Sequence, residues 1–138
     1  MSEEALGSTI FVLPDNWDDI KEDQPAAPGW YSVIISDAEL KLSKEKRNPM
    51  ISGKLEIQGG PEGVAPVFFN VMLPYPECHK FILQNLKRFM QAFEIEALPG
   101  GQIDVNSLNG MTATLFLDKI KNVNGRWIND PKWPEIAD

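Results

Sequence analysis

Between Trp30 and Leu42 the chain alternates apolar and polar residues, and midway the alternation changes phase. Tyr31, Val33 and Ile35 form one apolar set. Ala38, Leu40 and Leu42 form another of opposite parity, with Asp37, Glu39 and Lys41 pointing outward. Side chains alternate strictly along a strand, so a single strand carrying both sets needs a bulge or bend near Ser36. Such a strand curls and serves two sheet surfaces, which is what a small closed barrel requires.

The following segments supply partners for it. Met50 to Gln58 places Ile51, Leu55 and Ile57 inward and Met50, Ser52, Lys54 and Glu56 outward, and ends at Gly59-Gly60-Pro61. Pro66 to Leu73 turns Val67, Phe69, Val71 and Leu73 inward and leaves Phe68, Asn70 and Met72 on an unusually apolar outer face. After Pro74 and Pro76, the residues Cys78, Phe81, Ile82, Leu86, Phe89, Met90 and Phe93 recur at helical spacing, predicting a helix to about Glu94. Pro76 suits its first turn, and Glu77 complements the positive end of the macrodipole. A Gly-rich polar loop, 99–110, leads to a fourth strand in which Met111, Ala113, Leu115 and Leu117 alternate with polar residues and Phe116 as far as Val123. Asn124-Gly125 signals a hairpin, and Arg126 to Asn129 returns as a short fifth strand. The order is that of an all-β fold with one helix, a five-stranded OB-fold-like Greek-key barrel with the helix between strands 3 and 4. An α+β sandwich of the same elements is the alternative.

Around this domain, 29–130, the reading places an acidic N-terminal arm and linker, 1–28, with a candidate edge strand at Ile10–Leu13, and an irregular C-terminal tail, 131–138. Charge follows the same division. Residues 1–28 carry seven acids against Lys21, a net −6; residues 29–121 carry ten acids and ten bases; residues 122–138 add a net −1. Within the neutral body, Lys41, Lys44, Lys46, Arg47 and Lys54 stand against Glu45 alone, a net +4 over fourteen residues. A local basic patch binds phosphates even where the whole-chain charge of −7 opposes it.

Catalytic chemistry finds little to work with. His79 is the single histidine, which removes histidine-based triads and His-rich zinc sites. Cys78 is the single cysteine, so no intramolecular disulfide forms; it reads as a buried small hydrophobe, and its helical neighbour His79 points about 100° away from it. The acid pairs Asp18-Asp19, Glu22-Asp23 and Glu94/Glu96 read as solvated surface, and neither Gly59-Gly60 nor Gly100-Gly101 has the spacing and lysine of a phosphate loop. We therefore expect no enzyme, no metal and no cofactor. No apolar run approaches the ~18 residues of a membrane span, and Glu3 and Glu4 stand where a secretory leader would be basic, so the expectation is a soluble, cytoplasmic protein without a membrane partner.

Binding chemistry is better supplied. The OB-fold takes oligonucleotides across strands two and three, between the loops joining strands one to two and four to five. Lys41, Lys44, Lys46, Arg47 and Lys54 lie there to neutralise phosphates, with Asn48 and Met50 beside them for bases or sugars. Phe68 projects from strand three, and Trp127 follows Arg126 near Lys119 and Lys121; exposed rings are worth ~1–3 kcal/mol per stacked base. The exposed Phe68/Met72 strip is equally compatible with a homodimer contact.

The stretch from Gly29 to about Ile120 resembles a family of small bacteriophage OB-fold single-stranded DNA-binding proteins. The resemblance lies in the order of G-W-Y-x-V-x-I, A-E-L-K-x-S-K, N-P-M-I, the Phe- and Leu-rich helix, and L-N-G-M-T-A-T-L. It implies largely sequence-independent binding that protects displaced single strands during phage DNA replication or recombination. The C-terminal Trp133, Glu135, Ile136 and Asp138 resemble the acidic, apolar-tipped tails that recruit replication or recombination proteins. The competing expectation is a protein-interaction or virion-associated β-domain that uses the apolar strand face and the acidic arm.

Overall fold

A computed structural model describes residues 9–60 and 63–137. Five strands and one helix follow in order: β1 (Gly29–Leu42), β2 (Pro49–Ile57), β3 (Val67–Met72), α1 (Lys80–Ala92), β4 (Thr112–Lys121) and β5 (Trp127–Lys132). They form one antiparallel sheet in the order β3-β2-β1-β4-β5, which curls until its edge strands β3 and β5 approach each other. The result is a nearly closed, OB-like barrel, with α1 packed against β3 and β4.

The phase change in β1 is a bulge. Ser36 faces Lys54 and Glu39 faces Ser52, so β1 runs through three steps where β2 runs through two. Asp37 absorbs the extra residue at φ 53°, in the left-handed region that a short polar side chain tolerates. Ile35 and Ala38 are consequently both buried despite their opposite parity. The bulge frees the Ala38 N–H, which donates to Asn109 Oδ1 at 2.8 Å. Asn109 belongs to the segment read as a plain polar loop. That segment instead contains a 3-10 turn, Val105–Leu108, capped by Asp104, and delivers Leu108 fully buried to the core.

Leu40 and Leu42 correct the inward assignment of the second apolar set: Leu40 is 63% exposed and Leu42 is also exposed. Beyond the bulge β1 pairs with β2 alone, so no neighbour covers its other side there. The inner face elsewhere follows parity, with Val33, Ile35, Ile51, Leu55, Val67, Val71, Leu115 and Leu117 fully buried around Phe89. Gly53 breaks the apolar run of β2 for a steric reason. A Cβ there would meet Phe69 Cε1 at 2.9 Å and Ser36 O at 3.2 Å, so the cross-strand ring occupies the space a side chain would need.

The helix starts later than its apolar spacing suggests. His79 is the N-cap, its Nδ1 accepting from the Phe81 N–H at 3.0 Å, and Glu77 has φ 63°, which excludes it and Pro76 from the helix. Phe81 is exposed and Cys78 only half-buried, so neither belongs to the buried face that Leu86, Phe89 and Phe93 define.

Both termini also depart from expectation. β5 continues through Pro131 and Lys132; as an edge strand it accommodates a residue without an N–H. Trp133 then turns against the core, its ring 5.1 Å from Phe89, 6.0 Å from Phe69 and 6.1 Å from Phe93. The tail from Trp133 to Ala137 has no regular structure, as expected, but it is tied to α1, where Gln91 Oε1 accepts from the Ala137 N–H. Ile10–Leu13 lies exposed and outside any strand. The linker after it is folded: Gln24 bridges to Val64, and buried Ala26 has both backbone polar groups held by the buried Asn129 side chain, at 2.8 and 2.9 Å. Tyr31, packed against the core, donates its hydroxyl to Ala27 O at 2.6 Å. Among the described residues no helix is long and apolar enough to cross a membrane.

Candidate nucleic-acid interface

Antiparallel register arranges the outer face of β1, β2 and β3 into three cross-strand rows. Lys41, Met50 and Met72 form the first; Glu39, Ser52 and Asn70 the second; Ser36, Lys54 and Phe68 the third. Ser52 Oγ donates to Asn70 Oδ1 at 2.8 Å, tying β2 to β3 in the middle of this surface. Lys54 Nζ stands 5.7 Å from the Phe68 ring centroid, within reach of a cation–π interaction. Two of the cations already have partners: Lys54 pairs with Asp37 at 3.4 Å and Lys41 with Glu39 at 3.3 Å. These are exposed pairs worth about 0–1 kcal/mol, weak enough for a phosphate to replace the carboxylate.

The β1–β2 loop carries the remaining charge. Ser43 closes its base: its N–H donates to Asn48 O at 2.8 Å, and its Oγ accepts from the Asn48 N–H at 2.9 Å. Arg47, at φ 53°, donates its N–H to Ser43 O. The loop is a pinned turn, with Lys44, Lys46 and Arg47 exposed on it. Lys44, Lys46 and Asn48 share a shallow depression with Met72, which joins the loop to the first row. Asn48 thus spends its backbone on the loop.

The second part of the surface is the seam where β3 and β5 meet. A cleft of about 380 Å³ lies there, lined by Pro66 and Phe68 from one side and by Arg126, Trp127 and Asn129 from the other. Phe68 is 67% and Trp127 51% exposed. Lys119 and Lys121 stand 5.6 and 5.2 Å from the Trp127 centroid. The β4–β5 hairpin sets this geometry through Asn122, whose Oδ1 accepts from the N–H groups of Asn124 and Arg126 at 2.9 and 3.0 Å, while Gly125 takes φ 77°.

The predicted residues therefore fall into two groups. Lys41, Lys44, Lys46, Arg47, Asn48, Met50 and Lys54 belong to the loop and the β2–β3 face; Lys119, Lys121, Arg126 and Trp127 belong to the seam. Phe68 is common to both, since it lines the seam cleft and also a depression with Lys41 and Lys54. The C-terminal candidates lie apart. Trp133 is half-buried and packs against the core; Glu135 is exposed, Ile136 half-buried, and Asp138 lies outside the described residues.

Three features of the surface were not anticipated. The Ser52–Asn70 link was readable from outward parity on both strands. Asp23 in the cleft lining, and Glu22 Oε2 3.3 Å from the Arg126 guanidinium, had no local signal, because 104 residues separate that pair. On the opposite flank, exposed Trp30 meets Phe116 edge-on at 5.7 Å, and Phe116 pairs across the strands with Lys132. The Lys132 ammonium donates to Asp130 at 2.7 Å; that hydrogen bond, with the charges of Asp130 and Asp118, holds its pKa above the ordinary lysine value. Among the described residues no group of three His, Cys, Asp or Glu side chains is placed to hold a metal ion. Comparison with models of known protein families finds no match, and comparison with curated proteins finds none either.

Proposed function

We propose that this protein is a non-catalytic binder of single-stranded DNA. The backbone runs along the β1–β2 loop and the outer face of β2–β3, and bases stack on Phe68 and Trp127. The observation that carries this reading is that two exposed rings from different edge strands line one cleft, with Lys54 5.7 Å from the Phe68 centroid and Lys119 and Lys121 5.6 and 5.2 Å from that of Trp127. Unpaired bases offer π faces to such rings whatever their identity, whereas paired bases in a duplex keep those faces stacked on each other. Lysines around the rings neutralise the phosphates that accompany the bases. Low sequence preference follows from this division of labour. The resemblance to phage single-strand binders supports a role in DNA replication or recombination, where strands are transiently displaced.

The test is fluorescence anisotropy with labelled oligo-dT of about 30 nucleotides and with duplex of the same length, at ~50 and ~300 mM salt. Binding of the single strand in preference to duplex, weakening as salt rises, is the expected result. No binding at low salt overturns the reading and favours a protein partner for the apolar strand face.

A further inference from the structure

The arm reaches the seam cleft carrying the charge opposite to the cations around it. It joins the body at two anchors. Gln24 donates its N–H to Gly63 O at 2.8 Å and accepts from the Ala65 N–H at 2.9 Å, and Asn129 holds Ala26. These anchors put Asp23 and Pro25 in the wall of the cleft and bring Glu22 onto Arg126. Upstream, Asp15, Asp18 and Asp19 are exposed, as are Trp17 and Ile20 among them. A carboxylate on Arg126 takes the place that a phosphate oxygen would take, and the alternation of acids with exposed apolar side chains offers the cleft the same two chemistries as a single strand.

We propose that the acidic arm, from Asp15 to Asp23, is a tethered competitor for the seam cleft that single-stranded DNA must displace in order to stack on Phe68 and Trp127. The proposal rests on the single-stranded DNA reading of the site. The individual contact is weak, since the side chains of Glu22 and Arg126 are 79% and 71% exposed. Tethering compensates, because a segment joined directly to an anchored stretch of the same chain is held at a high effective concentration beside the cleft. The arm therefore sets a threshold: it turns away weak or brief polyanion contacts and yields to a strand that also engages the β1–β2 loop. Salt gives the device a signature. Exchanging one polyanion for another releases fewer counterions than occupying an empty cleft, so the arm flattens the dependence of affinity on salt.

Two variants test this beside the full chain: deletion of residues 1–21 combined with Glu22→Gln and Asp23→Asn, and the two substitutions alone, which keep the whole chain. Both retain Gln24 and its anchor. With oligo-dT as the probe, the deletion is expected to bind about tenfold tighter at ~50 mM salt, with a steeper salt slope and convergence on the full chain by ~300 mM. The double substitution shifts the same way by about two- to threefold. Equal affinities and equal slopes across the three chains overturn the competitor and leave the DNA-binding reading intact. Absence of oligo-dT binding by all three overturns both.

Discussion

Phe68 and Phe69 are neighbours in sequence, yet one is 67% and the other 4% exposed. Trp127, which opens β5, is likewise exposed, whereas Trp133, which follows that strand, is half-buried against the core. The inner rings, Phe69, Phe89, Phe93 and Trp133, have each other as partners, at centroid distances from 5.1 to 6.1 Å. The outer rings, Phe68 and Trp127, have lysine ammonium groups as partners. Strand alternation thus divides one residue type into two uses. Rings among rings hold the barrel shut where β3 and β5 are not joined into one ladder, and rings among cations form a surface that a polyanion with flat bases completes.

Four experiments strain this contrast. The largest effect belongs to the inner cluster: Trp133→Ala removes a ring packed on three others, and thermal or denaturant unfolding should register a loss of about 3–5 kcal/mol. A loss below about 1 kcal/mol would mean that the tail does not close the seam. Next comes the loop: replacing Lys44, Lys46 and Arg47 together by Ala should weaken oligo-dT binding about a hundredfold at low salt and lower the log–log salt slope by about 2, as three lost phosphate contacts require. Phe68→Ala and Trp127→Ala should each cost ~1–3 kcal/mol of binding with the salt slope unchanged, and unfolding should show stability nearly unaltered. A ring variant that unfolds the protein would erase the distinction between the two clusters. The smallest effect is electrostatic. Asp130→Asn should lower the Lys132 pKa toward 10.5, as read by NMR titration, because its hydrogen bond and charge are what raise it. The sign follows: the pair contributes stability that is fully present below the unfolded lysine value and is lost as pH rises through the higher folded one.

What the sequence made legible was whatever depends on alternation and turn chemistry. The phase change between Ile35 and Ala38 gave the bulge, the outward parity of Phe68 its exposure, and Asn124-Gly125 the hairpin that presents Trp127. Parity says which face a residue takes but not whether that face is covered, and Leu40 failed for that reason. The start of α1 was misplaced because apolar spacing runs on through Cys78, whereas a backbone turn at Glu77 and the His79 cap decide the boundary. Trp133, set between prolines with no periodic neighbours, gave no sign of its place against the core. The arm's approach to Arg126 and the Asn129 clasp on Ala26 join residues more than a hundred positions apart, and composition alone left the arm's position open.

The most direct test of the account is tryptophan fluorescence during oligo-dT titration, comparing the natural chain with Trp127→Phe. Of the four tryptophans, Trp17, Trp30, Trp127 and Trp133, the account puts a base on Trp127. It predicts strong quenching in the natural chain that largely disappears in the variant, while anisotropy shows that the variant still binds, since phenylalanine also stacks. Quenching of the same size in both chains would contradict it, because the strand would then lie elsewhere than in the cleft between Phe68 and Trp127.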